Sequence, residues 1–389
     1  MTGKSDMRKH KIIPDTGGWT LKDRLVYRLI TAFRYPELPE TPEIGKGYEY
    51  WPQGAVTAEN KPVYGCIRLG KENKLMLSFC GGGVSFDEYT AARPNKPGNR
   101  DKQNFYAVEA ETSDILLRTG TNGRSKKNPF CDWTVAVLPY TTGDFHCGRN
   151  DYPYTDLNGN SQILRHHGYI NYRLLLEKVR EMVPNPEKLI ITGFSAGAFG
   201  TALLADDIIG EFPACHDVTV ICDSAMMHNH WQTVAREVWD APEEICARLT
   251  GTEIVTDSLI ALHNKRPEVK IMYCCSSRDW ALTQYVGYLE EDGNWNPTKE
   301  TGDRFQKHLA DMADALMAAI PEIGLFYFDK PEPDYKEADL TSHCILASSA
   351  AFTVREEGIT AAEWMEKGVN GEMLKIGLAH LSERKNQSE

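Results

Sequence analysis

The chain has 389 residues, 41% hydrophobic and 25% charged, with 55 acidic against 43 basic side chains and a formal charge of −12. This is the composition of an ordinary globular protein with a sizeable core. It excludes nucleic acid or an anionic membrane as the main partner, because both require clustered Lys and Arg.

The basic runs Arg8–Lys11 and Lys126-Lys127 are short and read as solvated surface. No apolar run behind Met1 has the length of a signal-peptide core, and the longest apolar runs are strand-sized. If Met1 is the native start, the expected location is the cytoplasm, and the ten cysteines are expected as reduced thiols. No CxxC pair occurs, which argues against a structural zinc site.

Residues 1–50 are punctuated by proline, with an amphipathic helix predicted over 21–33. Residues 1–60 are read as an N-terminal extension packed on a single domain spanning 61–389. Strands are predicted at 74–79, 134–139, 189–192, 218–222, 269–275 and 325–329. Helices are predicted at 168–183, where Pro184 stops the pattern, at 196–209 and at 345–354. Residues 229–261 read as a helical insertion, and 360–381 as helical. Short apolar strands alternating with helices predict an α/β fold, with a mainly parallel central sheet covered by helices on both faces. Function in such sheets gathers beyond the C-terminal ends of the strands.

Gly193-Phe194-Ser195-Ala196-Gly197 matches G-x-S-x-G directly after a strand and before a helix. The glycines suit a turn too sharp for a neighbouring Cβ, and the helix start adds backbone N–H groups near Oγ. A serine nucleophile needs a base, and the base an orienting acid, in the chain order Ser, acid, His. Asp223 and Asp279 both sit at strand ends downstream. Of His228, His230, His263, His308 and His343, only His343 lies in a loop after the last predicted strand.

These residues resemble the pectin acetylesterase and Notum family of carboxylesterases, of the α/β-hydrolase type. The matching pieces run from about Leu75 to Cys344. They are Leu77–Gly83, the Pro139–Gly148 segment, His167–Asn171, Gly193–Gly197, Ser276–Trp280 and Ser342-His343-Cys344. The resemblance implies a triad of Ser195, Asp279 and His343, and an oxyanion hole at the amides of Gly83, Val84 and Ala196. Val84 stands where the family usually has Trp, and Ala198 replaces a second glycine.

The expected chemistry is hydrolysis of a short acyl ester, such as O-acetyl on a carbohydrate, without metal or organic cofactor. Asp144, His146 and Asn171 are expected to orient the alcohol part. The competing readings are a fatty-acyl (lipid) deacylase on the same fold and a non-catalytic carbohydrate-binding relic.

Overall fold

Nine strands join in one sheet among the described residues: β1 (Gly47–Tyr50), β2 (Gly65–Arg68), β3 (Lys74–Phe79), β4 (Thr134–Leu138), β5 (Lys188–Phe194), β6 (Val218–Asp223), β7 (Lys270–Ser276), β8 (Gly324–Phe328) and β9 (Lys375–Ile376). Their spatial order is β1-β2-β4-β3-β5-β6-β7-β8-β9. The β1–β2 and β2–β4 pairs are antiparallel, and every later pair is parallel. This computed structural model describes residues 20–382, apart from 33, 97–100, 102, 109–111 and 292. The run Arg8–Lys11 lies outside the described residues; Lys126 and Lys127 are exposed.

Among the described residues the longer helices are seven: α1 (Leu21–Thr31), α2 (Gly168–Met182), α3 (Ala196–Glu211), α4 (Ile254–Lys265), α5 (Trp280–Glu290), α6 (Lys299–Ala319) and α7 (Ala361–Val369). The central strands are buried along nearly their whole length. That is why they read as continuous apolar runs rather than as alternation. Helix α3 is buried on almost every side, from Ala196 to Ile209. Its uniform apolarity belongs to a helix sunk in the core.

All six predicted strands are present, and the α/β architecture is as expected. The segment before residue 61 also supplies β1, the edge strand. Glu49 in β1 is buried, pairs with Arg34 and accepts a hydrogen bond from Trp51 Nε1 at 3.1 Å.

Two expectations fail at the C-terminal side. Residues 345–354 form turns and a short 3-10 helix at Ser349–Phe352, which starts only where the Ser348 side chain accepts from the Ala350 amide. Residues 360–381 divide into α7, the strand β9 and a 3-10 turn at Leu378–Leu381. Gly371, at φ +94°, ends the helical course and lets the chain return to the sheet edge. The ten cysteines are all free, and eight of them are buried. No helix among the described residues is long and apolar enough to cross a membrane.

Arg278 joins the elements that follow β7. Its guanidinium is fully buried, donates to the carbonyls of Asp339 (2.7 Å) and Lys299 (2.9 Å), and pairs with Asp303. Removing it leaves buried carbonyls without donors, at about 1–3 kcal/mol each. Arg278→Met is expected to lower unfolding stability by about 2–4 kcal/mol, read as a lower urea midpoint at unchanged slope.

Candidate active site

The register of the parallel strands brings four chain segments to one rim. Phe79 lies opposite Gly193, Phe194 opposite Asp223, and Asp223 opposite Cys274. The loop after β3, the turn after β5 and the loop after β6 therefore stand side by side. Ser195 occupies the turn between β5 and α3 with φ +55° and ψ −129°. A non-glycine residue held there stores roughly 1–3 kcal/mol of strain, which the surrounding structure must offset.

Part of that support is the Ser195 N–H, which donates to the Asp223 carbonyl at 2.9 Å. The flanking glycines are required by close approach. A Cβ on Gly193 would sit 2.2 Å from the Gly197 carbonyl oxygen, and one on Gly197 would sit 2.1 Å from that of Phe79. Ser195 is half-buried, and its hydroxyl makes no hydrogen bond to a described residue.

His343 and Asp279 meet directly. His343 Nδ1 lies 2.7 and 2.8 Å from the two carboxylate oxygens of Asp279. Asp279 is fully buried, whereas the imidazole keeps 17% of its side chain exposed. The carboxylate also caps α5, accepting from the amides of Ala281 and Leu282, both at 3.1 Å. Burial pushes the His343 pKa down, but the charge and hydrogen bond of Asp279, aided by Asp223, outweigh it and leave it raised above 6.5.

Backbone pairing fixes the same contact. Thr341 N–H donates to the Arg278 carbonyl, and Trp280 N–H donates to the Thr341 carbonyl, each at 3.0 Å. The histidine loop is tied equally to β6. Asp223 Oδ2 accepts from the amides of Ile345 (2.9 Å) and Leu346 (2.7 Å), and Ser224 Oγ accepts from the Cys344 amide at 3.2 Å.

Asp223 thus holds Ser195 through its carbonyl and the His343 loop through its carboxylate. Ser195 and His343 are linked through it, with no direct hydrogen bond between their side chains. Such bonds are often loose before substrate binds.

Four sequence expectations need correction. The Val84 amide donates to the Phe105 carbonyl at 2.7 Å, so it is not free to receive an oxyanion. The amides of Gly82, Gly83 and Ala196 have no acceptor among the described residues.

Asp144 is fully buried and accepts from Thr142 Oγ1 (2.7 Å), the Gly168 amide (2.7 Å) and the His146 amide (3.1 Å). His146 is buried, with Nε2 2.9 Å from the Cys80 carbonyl oxygen, which fixes that nitrogen as the donor. Asn171 closes a two-bond clasp on Val56, at 3.0 and 2.8 Å. All three are buried and hydrogen-bonded within the scaffold, which leaves none of them available to orient an alcohol.

The aromatic pair beside the histidine escaped sequence reading. Trp280 lies 6.4 Å from the His343 ring, edge to face, and stacks on Tyr335 at 5.1 Å and 20°. Trp280 follows the triad-acid position directly, which was its one local signal. Tyr335 had none.

Asp144→Ala and Asn171→Ala are each expected to cost about 1–3 kcal/mol of stability in urea unfolding, with KM changed less than about two-fold. Burial also lowers the pKa of His146 to about 4 and that of His166 to about 3. Both imidazoles are neutral when folded and must charge on unfolding. Stability is therefore full above the unfolded value near 6.5 and is lost as pH falls from there toward 4. His146→Gln is expected to flatten that acid limb by on the order of 3 kcal/mol in unfolding titrations.

No family model matches the chain, and no curated protein matches it in sequence. Among solved structures it is similar to that of the Wnt deacylase Notum from Drosophila, with a TM-score of 0.55 and 16% identity, covering 84% of this chain and 95% of that one. That likeness establishes the fold. The fold, a mainly parallel sheet flanked by helices, is of the α/β-hydrolase type.

Proposed function

We propose that this protein is a serine carboxylesterase that removes a short acyl group, acetyl above all, from a carbohydrate. The observation that carries the reading is the His343–Asp279 pair at 2.7 Å, locked through Asp223 to the strained Ser195 turn. Asp279 fixes Nδ1–H as the tautomer, which leaves Nε2 as the base. His343 takes the Ser195 proton as Oγ attacks the acyl carbon. The developing oxyanion is received by the free amides of Ala196 and of the Gly82-Gly83 loop. His343 then protonates the departing alcohol, and water repeats the sequence to release the acid.

The half-buried Trp280–Tyr335 stack beside His343 supports a sugar as the alcohol, since a flat aromatic face suits the apolar face of a pyranose. A fatty-acyl ester is the competing substrate, and the similar structure is that of another acyl-removing protein, a Wnt deacylase.

Ser195→Ala is expected to abolish fluorophosphonate labelling and to lower ester hydrolysis by about 10⁴-fold or more. Hydrolysis at the wild-type rate by that variant would end the proposal. In a panel of acyl esters, higher kcat/KM for octanoyl than for acetyl would replace acetyl with a fatty acyl group. Trp280→Ala is expected to raise KM for an acetylated oligosaccharide and to leave that for p-nitrophenyl acetate unchanged.

The neutral imidazole is the active form, so kcat/KM is expected to fall as pH drops through a pKa raised from the ordinary histidine value by Asp279. Asp279→Asn should move that limb to lower pH and reduce kcat by roughly 10³–10⁴.

A further inference from the structure

Three side chains with metal-binding atoms, none of them part of the Ser195–Asp279–His343 set, converge on one another. His228 lies five residues beyond the end of β6, Glu290 is the last residue of α5, and His308 lies in the middle of α6. One ligand atom from each falls within 4.8 Å of the other two. His308 Nε2 is 3.0 Å from Glu290 Oε1, and the two imidazole rings lie tilted at 58° with centroids 4.5 Å apart. The His228 ring is half-buried and makes no hydrogen bond to a described residue. Its backbone is held by a bridge to Glu253, and the next residue, Asn229, donates to the Thr252 carbonyl at 3.0 Å. The backbone is thus held while the ring stays free to turn toward a second imidazole and a carboxylate.

We infer that His228, Glu290 and His308 bind a zinc ion. Imidazole nitrogen and carboxylate oxygen are ligands that zinc favours, and two histidines with one glutamate leave a fourth position for water. Zinc bonds of about 2.0–2.1 Å hold tetrahedral ligand atoms roughly 3.3 Å apart. The His308–Glu290 pair already meets that spacing. The remaining approach is at most about 1.5 Å, within reach of a side-chain rotation of His228.

The metal would replace the proton now shared by His308 and Glu290. Arg304 Nε stands 3.6 Å from the other oxygen of Glu290, while Oε1 is the oxygen nearer to His308. The site would fasten α5 and α6 to the loop after β6. The helix fastened is the one whose first turn is capped by Asp279, so the ion would stiffen the support of that carboxylate.

The test uses the full chain, stripped with chelator and titrated with zinc by calorimetry, with cobalt(II) as a spectroscopic reporter of nitrogen and oxygen ligands. One equivalent is expected, with a thermal midpoint raised by several degrees when zinc is in excess. His228→Ala and His308→Ala should each weaken that binding by about 100-fold or more. Glu290→Gln, at an exposed position, should weaken it without loss of fold by circular dichroism. Ser195→Ala should bind as the wild type does, which separates this site from the esterase reading. Zinc binding that persists unchanged in both histidine variants, as thiol ligation would, overturns the proposal. So does the absence of saturable binding to the wild-type chain.

Discussion

The carboxylate of Asp223 is the constraint on which the rim depends. It sits fully buried at the end of a central strand and gathers the amides of Ile345 and Leu346, while its own carbonyl takes the Ser195 amide. Burial pushes its pKa up, and the donors around it pull the other way. A buried carboxylate is tolerated only when its lone pairs are occupied, and here the occupants are the two loops that must be brought together. The strain at Ser195 and the left-handed turns at Ser224 and Cys344 are held by the same cluster of bonds.

Asp279 repeats this economy on the neighbouring strand. One carboxylate caps α5, satisfying two of the orphan amides of a helix start, and receives the imidazole of His343 with both oxygens. Arg278, the residue before it, reaches in the other direction to the start of α6 and to Asp339. The acid loop is therefore anchored on three sides before any substrate arrives. Such preorganisation lets a hydrogen-bond network stabilise charge without rearranging during a reaction.

The polar residues of the Thr141–Asn171 region show how a strand-end cluster can mislead. Asp144, His146 and Asn171 have the side chains of a binding site and the placement of one. Each is nevertheless consumed by backbone groups: Asp144 by the start of α2, His146 by the Cys80 carbonyl, Asn171 by Val56. Loops that leave a sheet carry unpaired amides and carbonyls, and short polar side chains are the usual way to satisfy them. A catalytic side chain and a buried clasp are written with the same letters.

The amino-acid sequence by itself determined the α/β layering, the six central strands and the G-x-S-x-G turn, because each is a local signal: an apolar run, a period, a steric need for glycine. It also singled out Asp279 and His343, through chain order and family likeness rather than through any local rule. It missed β1 and β2, which are short, and α5, whose apolar pattern is weak; it over-extended the helices after 345 and 360. Tertiary structure alone decided which side chains meet. The loss of the Val84 amide to Phe105, the capture of the Ile345 and Leu346 amides by Asp223 and the convergence of His228, Glu290 and His308 depend on contacts across dozens of residues. Such contacts are set by strand register and helix packing, which no window of sequence contains.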